Sequence, residues 1–212
     1  MGGILQNMKI GRKLVLGFGA ILVVMAVLVR AAILDMITLH NDLVKIVEVN
    51  NKRQTSATVM AAIVREDAIA VRNCFLETER TEEMIKRIND YNAKFDEAFM
   101  EIEQITSSDD AKGRNLLLLV KESWTASRAL NDRTLALLTA GRQHEAFAMY
   151  EKESRAAVRQ AIQATEDLVK HQQMRSEMQY DTARYYQDTR LLKISLGFAT
   201  FLLVVIIAML LF

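Results

Sequence analysis

Arg65 and Arg72 stand seven residues apart in "VMAAIVREDAIAVRNCFL", residues 59–76, a stretch otherwise dominated by apolar side chains. Seven residues are two helical turns, so both guanidinium groups point the same way. Ala62, Arg65, Ile69, Arg72 and Leu76 are spaced three, four, three, four, which places the arginines on a packing seam rather than on a solvent face. A second seam, Ala61, Val64, Ala68, Val71 and Phe75, lies about 100° round the same helix. Farther along, Arg114, Leu117, Lys121, Trp124, Arg128, Asn131, Leu135 and Leu138 repeat the alternation, with Trp124 between two cations. Charge on a seam costs several kcal/mol unless it is partnered. Acids such as Glu66, Asp67 or Glu122 at the bundle margin are one set of partners, unless the side chains snorkel out of the bundle. The other is an anionic ligand entering between two helices, held by the planar fork of Arg, with its carbon skeleton packed on Trp124. With Tyr150 on the last helix, the candidate ligand-binding set is Arg65, Arg72, Lys121, Trp124, Arg128 and Tyr150.

The elements that must position these residues are helices. The chain of 212 residues contains no proline, and three of its eight glycines fall in the first eleven positions. A sequence without its main helix breakers is most simply all-α. The first helix reaches about Leu76, and "ETERTEEM" turns the chain, with Thr78 or Thr81 placed to cap the next helix. The second helix carries the cleanest heptad: Met84, Ile88, Tyr91, Phe95, Ala98, Ile102 and Ile105. "TSSDDAKG" breaks it, a third helix runs from about Ala111 to Thr139, and Gly141 suits a helix C-cap. The fourth helix begins near His144 and runs on without interruption, with Phe147, Tyr150, Ser154, Ala157, Ala161, Ala164 and Leu168 as its seam. Two long and two shorter helices with short connections predict an antiparallel up-down-up-down four-helix bundle.

The same pattern argues against catalysis. His40, His144 and His171 are scattered, and none lies three residues after a Glu, so the Glu-x-x-His pair of di-iron bundles is missing. There is no C-x-x-C-H for haem attachment, no glycine-rich phosphate loop and no basis for a Ser/His/Asp arrangement. The lone Cys74 fits no metal or redox motif and reads as a small buried hydrophobe. No enzymatic activity, cofactor or metal is expected. A net charge of +1 also gives no electrostatic reason to expect nucleic acid.

Two apolar runs point to a membrane. Residues 14–30 form the first span, with Arg30 snorkelling at its far face. A cleaved signal peptide shares the charged start and the apolar stretch, but "VLVRAAILD" is a poor cleavage site. The second span covers 191–212, including the charge-free "ISLGFATFLLVVIIAMLLF". Lys9, Arg12 and Lys13 in the leader, 1–13, place the N-terminus in the cytoplasm. Two spans return the C-terminus there and leave residues 31–190 outside.

The opening "NMKIGRKLVLGFGAILVVMAVL" resembles the start of bacterial methyl-accepting chemotaxis proteins. The resemblance extends to "VREDAIAVRNCFL" and to "LLTAGRQHEAFAMYEKESRAAVRQAI", which is similar to the third-to-fourth helix corner of their four-helix-bundle sensor domain. It implies an inner-membrane homodimer whose periplasmic domain binds a small organic acid or amino acid, through residues in the places of Arg65, Arg72 and Arg128. It also implies output to a chemotaxis kinase and its coupling protein through a HAMP linker and a methylated coiled coil. Those parts would follow Phe212, so the chain is expected to be the sensor part of a longer protein. On this reading the ligand is a di- or tricarboxylate. The rival readings are the sensor of a histidine kinase or nucleotide cyclase, and a structural bundle that binds a partner protein.

Overall fold

The computed structural model describes residues 10–211 of the chain. The protein is an all-α helical bundle. Its elements are α1 (Ile10–Leu76), a 3-10 turn (Thr78–Arg80), α2 (Thr81–Ile105), α3 (Ala111–Thr139), α4 (Gln143–Met149), a π-helical turn (Tyr150–Ser154) and α5 (Arg155–Leu211). The described residues thus hold five α-helices where the sequence reading expects four. The difference lies at one point: the expected uninterrupted fourth helix is α4 and α5 joined through the π turn.

Two compact units divide the chain. Residues 47–179 carry the core. Residues 1–46 and 180–212 make up the other unit, within which the described segments are the outer ends of α1 and α5. Among the described residues, one stretch in that unit, Gly17–Asn41, is long and apolar enough to cross a membrane, with mean hydropathy 2.5 and none of it buried. The expected first span, 14–30, overlaps it. The expected second span, 191–212, is helical as far as Leu211, but the side chains beyond Ile206 lie outside the described residues. No second span emerges among the residues that are described.

In the unit 47–179 the helices run antiparallel, and their register can be read from side-chain contacts. Ser56 donates to Glu101 at 2.5 Å and Tyr91 to Glu66 at 3.4 Å, so a step along α1 is matched by a step back along α2. Phe95 stacked on Trp124 and Asp96 on Arg128 set the middle of α2 against the middle of α3, and the short connection 106–110 turns the chain back between them. Glu166 on Arg65 and Tyr150 against Phe75 do so for α1 and the fourth leg.

The core has two apolar clusters. One gathers Met60, Val64, Phe95, Ile102, Val120, Trp124 and Leu168, with their neighbours. The other gathers Val71, Cys74, Met84, Ile88 and Leu135. The α2 heptad read from sequence is buried, apart from Tyr91 and Ile105 at half exposure. Cys74 is buried as expected, and burial pushes its thiol up to about 11.

The helix ends show how the corners are held. Thr81 does not cap α2; its hydroxyl turns back to the Thr78 carbonyl at 2.9 Å, and Arg80 holds the N-cap position without a side-chain bond. Gly141 follows the α3 C-cap with φ of 74°, and the Gly141 and Arg142 N–H groups reach back to Leu138 and Leu137 at 3.0 Å. This is a Schellman ending, which needs a residue free to adopt positive φ.

At the opposite corner, Asp110 caps α3 by accepting the Gly113 N–H at 2.9 Å. The same buried carboxylate meets His171 Nε2 at 2.9 Å and the Arg175 guanidinium, both on α5. Arg53 of α1, also buried, donates to the Ile105 carbonyl at the end of α2, with its Nε at 2.9 Å. Burial opposes Asp110's charge, but the Gly113 N–H, His171 and Arg175 outweigh it and hold the carboxyl below the usual carboxylate range. Burial, with Arg175 close by, lowers the pKa of Arg53.

Asp110→Ala should leave buried Arg53 and half-buried Arg175 with only the exposed Asp109 as counter-charge and cost about 3–5 kcal/mol. A Cβ at Gly113 would collide with the Asp110 carboxylate. Gly113→Ala should therefore cost less, about 1–3 kcal/mol, by overpacking the cap. Denaturant unfolding of the full chain in detergent, followed by circular dichroism, checks both values and their order.

Candidate functional site

The cations that the sequence places on seams do not lie inside the bundle. Ala62, Arg65, Ile69, Arg72 and Leu76 are all exposed. The stripe of α1 that is buried runs through Arg53, Ser56, Met60, Ile63, Asp67, Ala70 and Cys74, with the same alternation of three and four. It lies two residues out of phase, about 200° round the helix, from the stripe carrying the arginines. The expectation that Arg65 and Arg72 sit on an internal seam is therefore corrected: their seam faces outward. The second seam of the sequence reading is right in place, with Ala61, Val64 and Val71 buried and Ala68 and Phe75 at half exposure.

On α3 the buried line passes through Gly113, Leu117, Val120, Trp124, Ser127, Asn131 and Thr134. Trp124, 2% exposed, is a core side chain stacked on Phe95 with ring centroids 4.5 Å apart. Lys121 and Arg128 flank that line. Lys121 lies outside with its ammonium 5.6 Å from the Phe99 ring centroid, and Arg128 bonds Asp96 at 3.2 Å. Arg65 bonds Glu166 at 2.8 Å, at about half exposure on both sides. Arg72 has no ion-pair partner among the described residues. Within one chain, then, Arg65, Arg72, Lys121, Trp124 and Arg128 do not converge on one cleft.

Tyr150 does line one. A cavity of about 150 Å³ is bounded by Ala68, Val71, Tyr150, Arg155, Val158 and Arg159. Its position follows from the π turn. An extra residue in the helical ladder, between Tyr150 and Ser154, re-aims the side chains on either side. Ser154 is turned fully into the core, where its hydroxyl meets Thr134 at 2.9 Å and the Leu130 carbonyl at 3.3 Å. Tyr150 is turned against Phe75, centroid to centroid 5.3 Å. Arg155 and Arg159, one helical turn apart, then share the wall of the cavity over a floor of Ala68, Val71 and Val158. Arg155 bonds Glu151 at 2.6 Å, and Arg159 has no ion-pair partner among the described residues.

Chemically this is an apolar-floored notch with two guanidinium groups and a phenol at its edge, which suits a small anion with a short carbon skeleton. The sequence reading missed both arginines. "RAAVR" carried the signal, a pair at i and i+4 beside small residues, but the attention given to heptad positions passed over it.

A family described as a four helix bundle sensory module for signal transduction matches residues 7–185, most of the chain. The chain belongs to this family. No curated protein and no solved structure matches it. The module is a non-catalytic, chemoreceptor-like sensory part. Among its described residues no group of three or more His, Cys, Asp or Glu could hold a metal ion.

The different placements of Trp124 and Arg72 in the module give a direct check. Trp124→Ala should cost about 3–5 kcal/mol of stability as a core truncation. Arg72→Ala should change stability by no more than about 0.5 kcal/mol. Equilibrium unfolding of the two variants beside the parent chain distinguishes them.

Proposed function

We propose that the chain is the sensory region of a transmembrane chemoreceptor that binds a small di- or tricarboxylate in the cavity at the π turn. The observation that carries this reading is the pairing of Arg155 and Arg159 with Tyr150 around a notch of about 150 Å³. Drug-sized ligands need about 300 Å³ or more, so the notch favours a compact metabolite. Membership of a sensory family supplies the role, and the guanidinium pair supplies the preference for carboxylate.

The outward stripe of α1 belongs to the same proposal. Thr58, Ala62, Arg65, Ile69, Arg72 and Leu76 keep heptad spacing on an exposed face, which is the pattern of a helix awaiting a neighbour. In this reading the neighbour is a second copy of the chain. Arg72 follows the cavity residue Val71, so a homodimer along this stripe would bring further positive charge, from Arg65 and Arg72, close to the ligand. Lys121, Trp124 and Arg128 then have structural roles at α2 and α3.

The membrane arrangement completes the proposal: a cytoplasmic leader at 1–13, spans at 14–30 and 191–212, and a periplasmic sensor at 31–190 of a bacterial inner-membrane protein. Both termini are cytoplasmic, and the output passes to a chemotaxis kinase and its coupling protein. Ligand binding would bias two packings of α5, the helix that carries Arg155 and Arg159 and continues to Leu211.

Isothermal titration of the full chain in lipid nanodiscs against a panel of di- and tricarboxylates tests the site. Arg159→Ala should weaken binding at least tenfold, about 1.4 kcal/mol, while Lys121→Ala leaves it unchanged. Binding that survives Arg159→Ala, or a panel without a single binder, overturns the assignment. Oxidation of an Ala62→Cys variant in membranes should give a cross-linked dimer, and a Lys112→Cys variant should not. The reverse result would move the interface away from α1.

A further inference from the structure

The two apolar clusters of the core do not merge, and what separates them is polar. Cluster one ends at Val64 on α1 and cluster two resumes at Ala70; between them lies Asp67, 2% exposed. On α3 the gap between Trp124 and Leu135 is filled by Ser127, Asn131 and Thr134, all buried. On α2 the gap between Phe95 and Ile88 holds Asn92, also buried, with half-buried Tyr91 packed against both clusters. The stacking of Phe95 on Trp124 and the Asp96–Arg128 pair bring Asn92 to the level of Ser127 and Asn131.

This layer is short of partners. Asn131 Nδ2 donates to Asp67 Oδ2 at 2.9 Å. Asn131 Oδ1, Asn92 Oδ1 and Ser127 Oγ are buried without a hydrogen-bond partner. Two unmet amide oxygens and a buried carboxylate share this layer with one unpaired hydroxyl donor, Ser127, so acceptors exceed donors and a proton on the carboxylate is the simplest additional donor.

The charged groups around the layer do not neutralise Asp67. Arg128 on α3 is spent on Asp96 at the margin, and Asp132 beside it on α3 opposes a second negative charge. Arg87 and Tyr91 on α2 are bound to each other and to Glu66, the exposed neighbour of Asp67. Glu166 on α5 is held by Arg65, and α5 otherwise buries Ala157, Val158, Ala161 and Thr165 along this stretch, none of them titratable. On α1 itself, Cys74 lies two turns away.

We propose that the Asp67, Asn92, Ser127 and Asn131 layer is a proton-binding site, so that this module senses pH in its core at a site separate from the cavity at the π turn. Burial raises the Asp67 carboxyl to about 7, against a smaller opposing effect of the Asn131 amide. The Asn131 side chain can answer either state. It offers its NH2 to a carboxylate and its carbonyl to a carboxylic acid O–H, so uptake of one proton reverses the amide and redirects its NH2. The sign of the linkage follows. The folded-state pKa lies above the unfolded value, so the stabilisation is complete at acid pH and is lost as pH rises through about 7.

The test uses the full chain in lipid nanodiscs. Infrared difference spectra should show a neutral carboxyl band that persists above about pH 6, where ordinary carboxyls are ionised, and vanishes through about 7. Asp67→Asn should abolish this band. Asn131→Leu should keep it and move its midpoint to higher pH, which preserves a readout if Asp67→Asn fails to fold. The emission of Trp124, the single tryptophan, should shift with the same midpoint. No band above about pH 6, or a band that survives in a folded Asp67→Asn protein, overturns the proton site. A titrating band without a change in Trp124 emission overturns its role in sensing.

Discussion

A carboxylate buried among helices has to be surrounded by donors, and the donors that Asp110 gathers come from separate parts of the chain. Its own helix supplies the Gly113 N–H, and α5 supplies His171 and Arg175. Arg53 of α1 closes the same corner by capping the carbonyl end of α2. One negative charge therefore ties the start of α3 to α5, beside the Arg53 guanidinium that holds the end of α2. Helices that pack only by apolar ridges can slide by a turn at modest cost. A buried ion cluster cannot slide, because any displacement leaves a charge unpaired. The register seen farther up the bundle, Ser56 with Glu101 and Phe95 with Trp124, is the register this corner permits.

The helical content, the corners at Ser107 and Gly141, and the α2 heptad were legible in the sequence because they depend on local signals: absent proline, apolar spacing and a glycine free to take positive φ. The facing of α1 was not. Two stripes with the same spacing run along that helix, and the one with Ala62, Ile69 and Leu76 reads as a core seam until the neighbours are known. The stripe that is truly buried contains Arg53, Ser56 and Asp67, residue types that mark a surface when read alone. Their burial depends on partners 45 to 64 residues away on other helices, Glu101, Ile105 and Asn131, and no local pattern encodes those pairings. The π turn was hidden for a related reason. Positions 150, 154, 157 and 161 keep a spacing that an unbroken helix would also produce.

Of the residues chosen for chemistry from the sequence, only Tyr150 lines the cavity. The others were chosen because cations on a seam need explanation, and that logic held for a seam that turned out to face outward. Exposure removes the desolvation cost that made Arg65 and Arg72 look anomalous, since a solvated guanidinium needs no buried partner. It replaces one question with another: why a face with heptad spacing and apolar Ile69 and Leu76 lies open. The second copy proposed along this stripe would answer both the spacing and the exposure.

The polar layer at Asp67 has a cost that an apolar layer of equal volume would not carry. Buried acceptors without donors weaken a core, and a bundle built only for strength would fill this level with Leu and Val. The layer lies between two apolar clusters, each able to stay packed while the groups between them rearrange. Ser154 joins this stretch to the π turn through Thr134, one turn beyond Asn131, and the next residue, Arg155, lines the cavity. A proton at Asp67 and an anion at Arg155, as proposed, would thus act on neighbouring turns of α3 and α5. If both inputs bias the Thr134–Ser154 contact between those turns, whichever arrangement one favours alters the cost of the other.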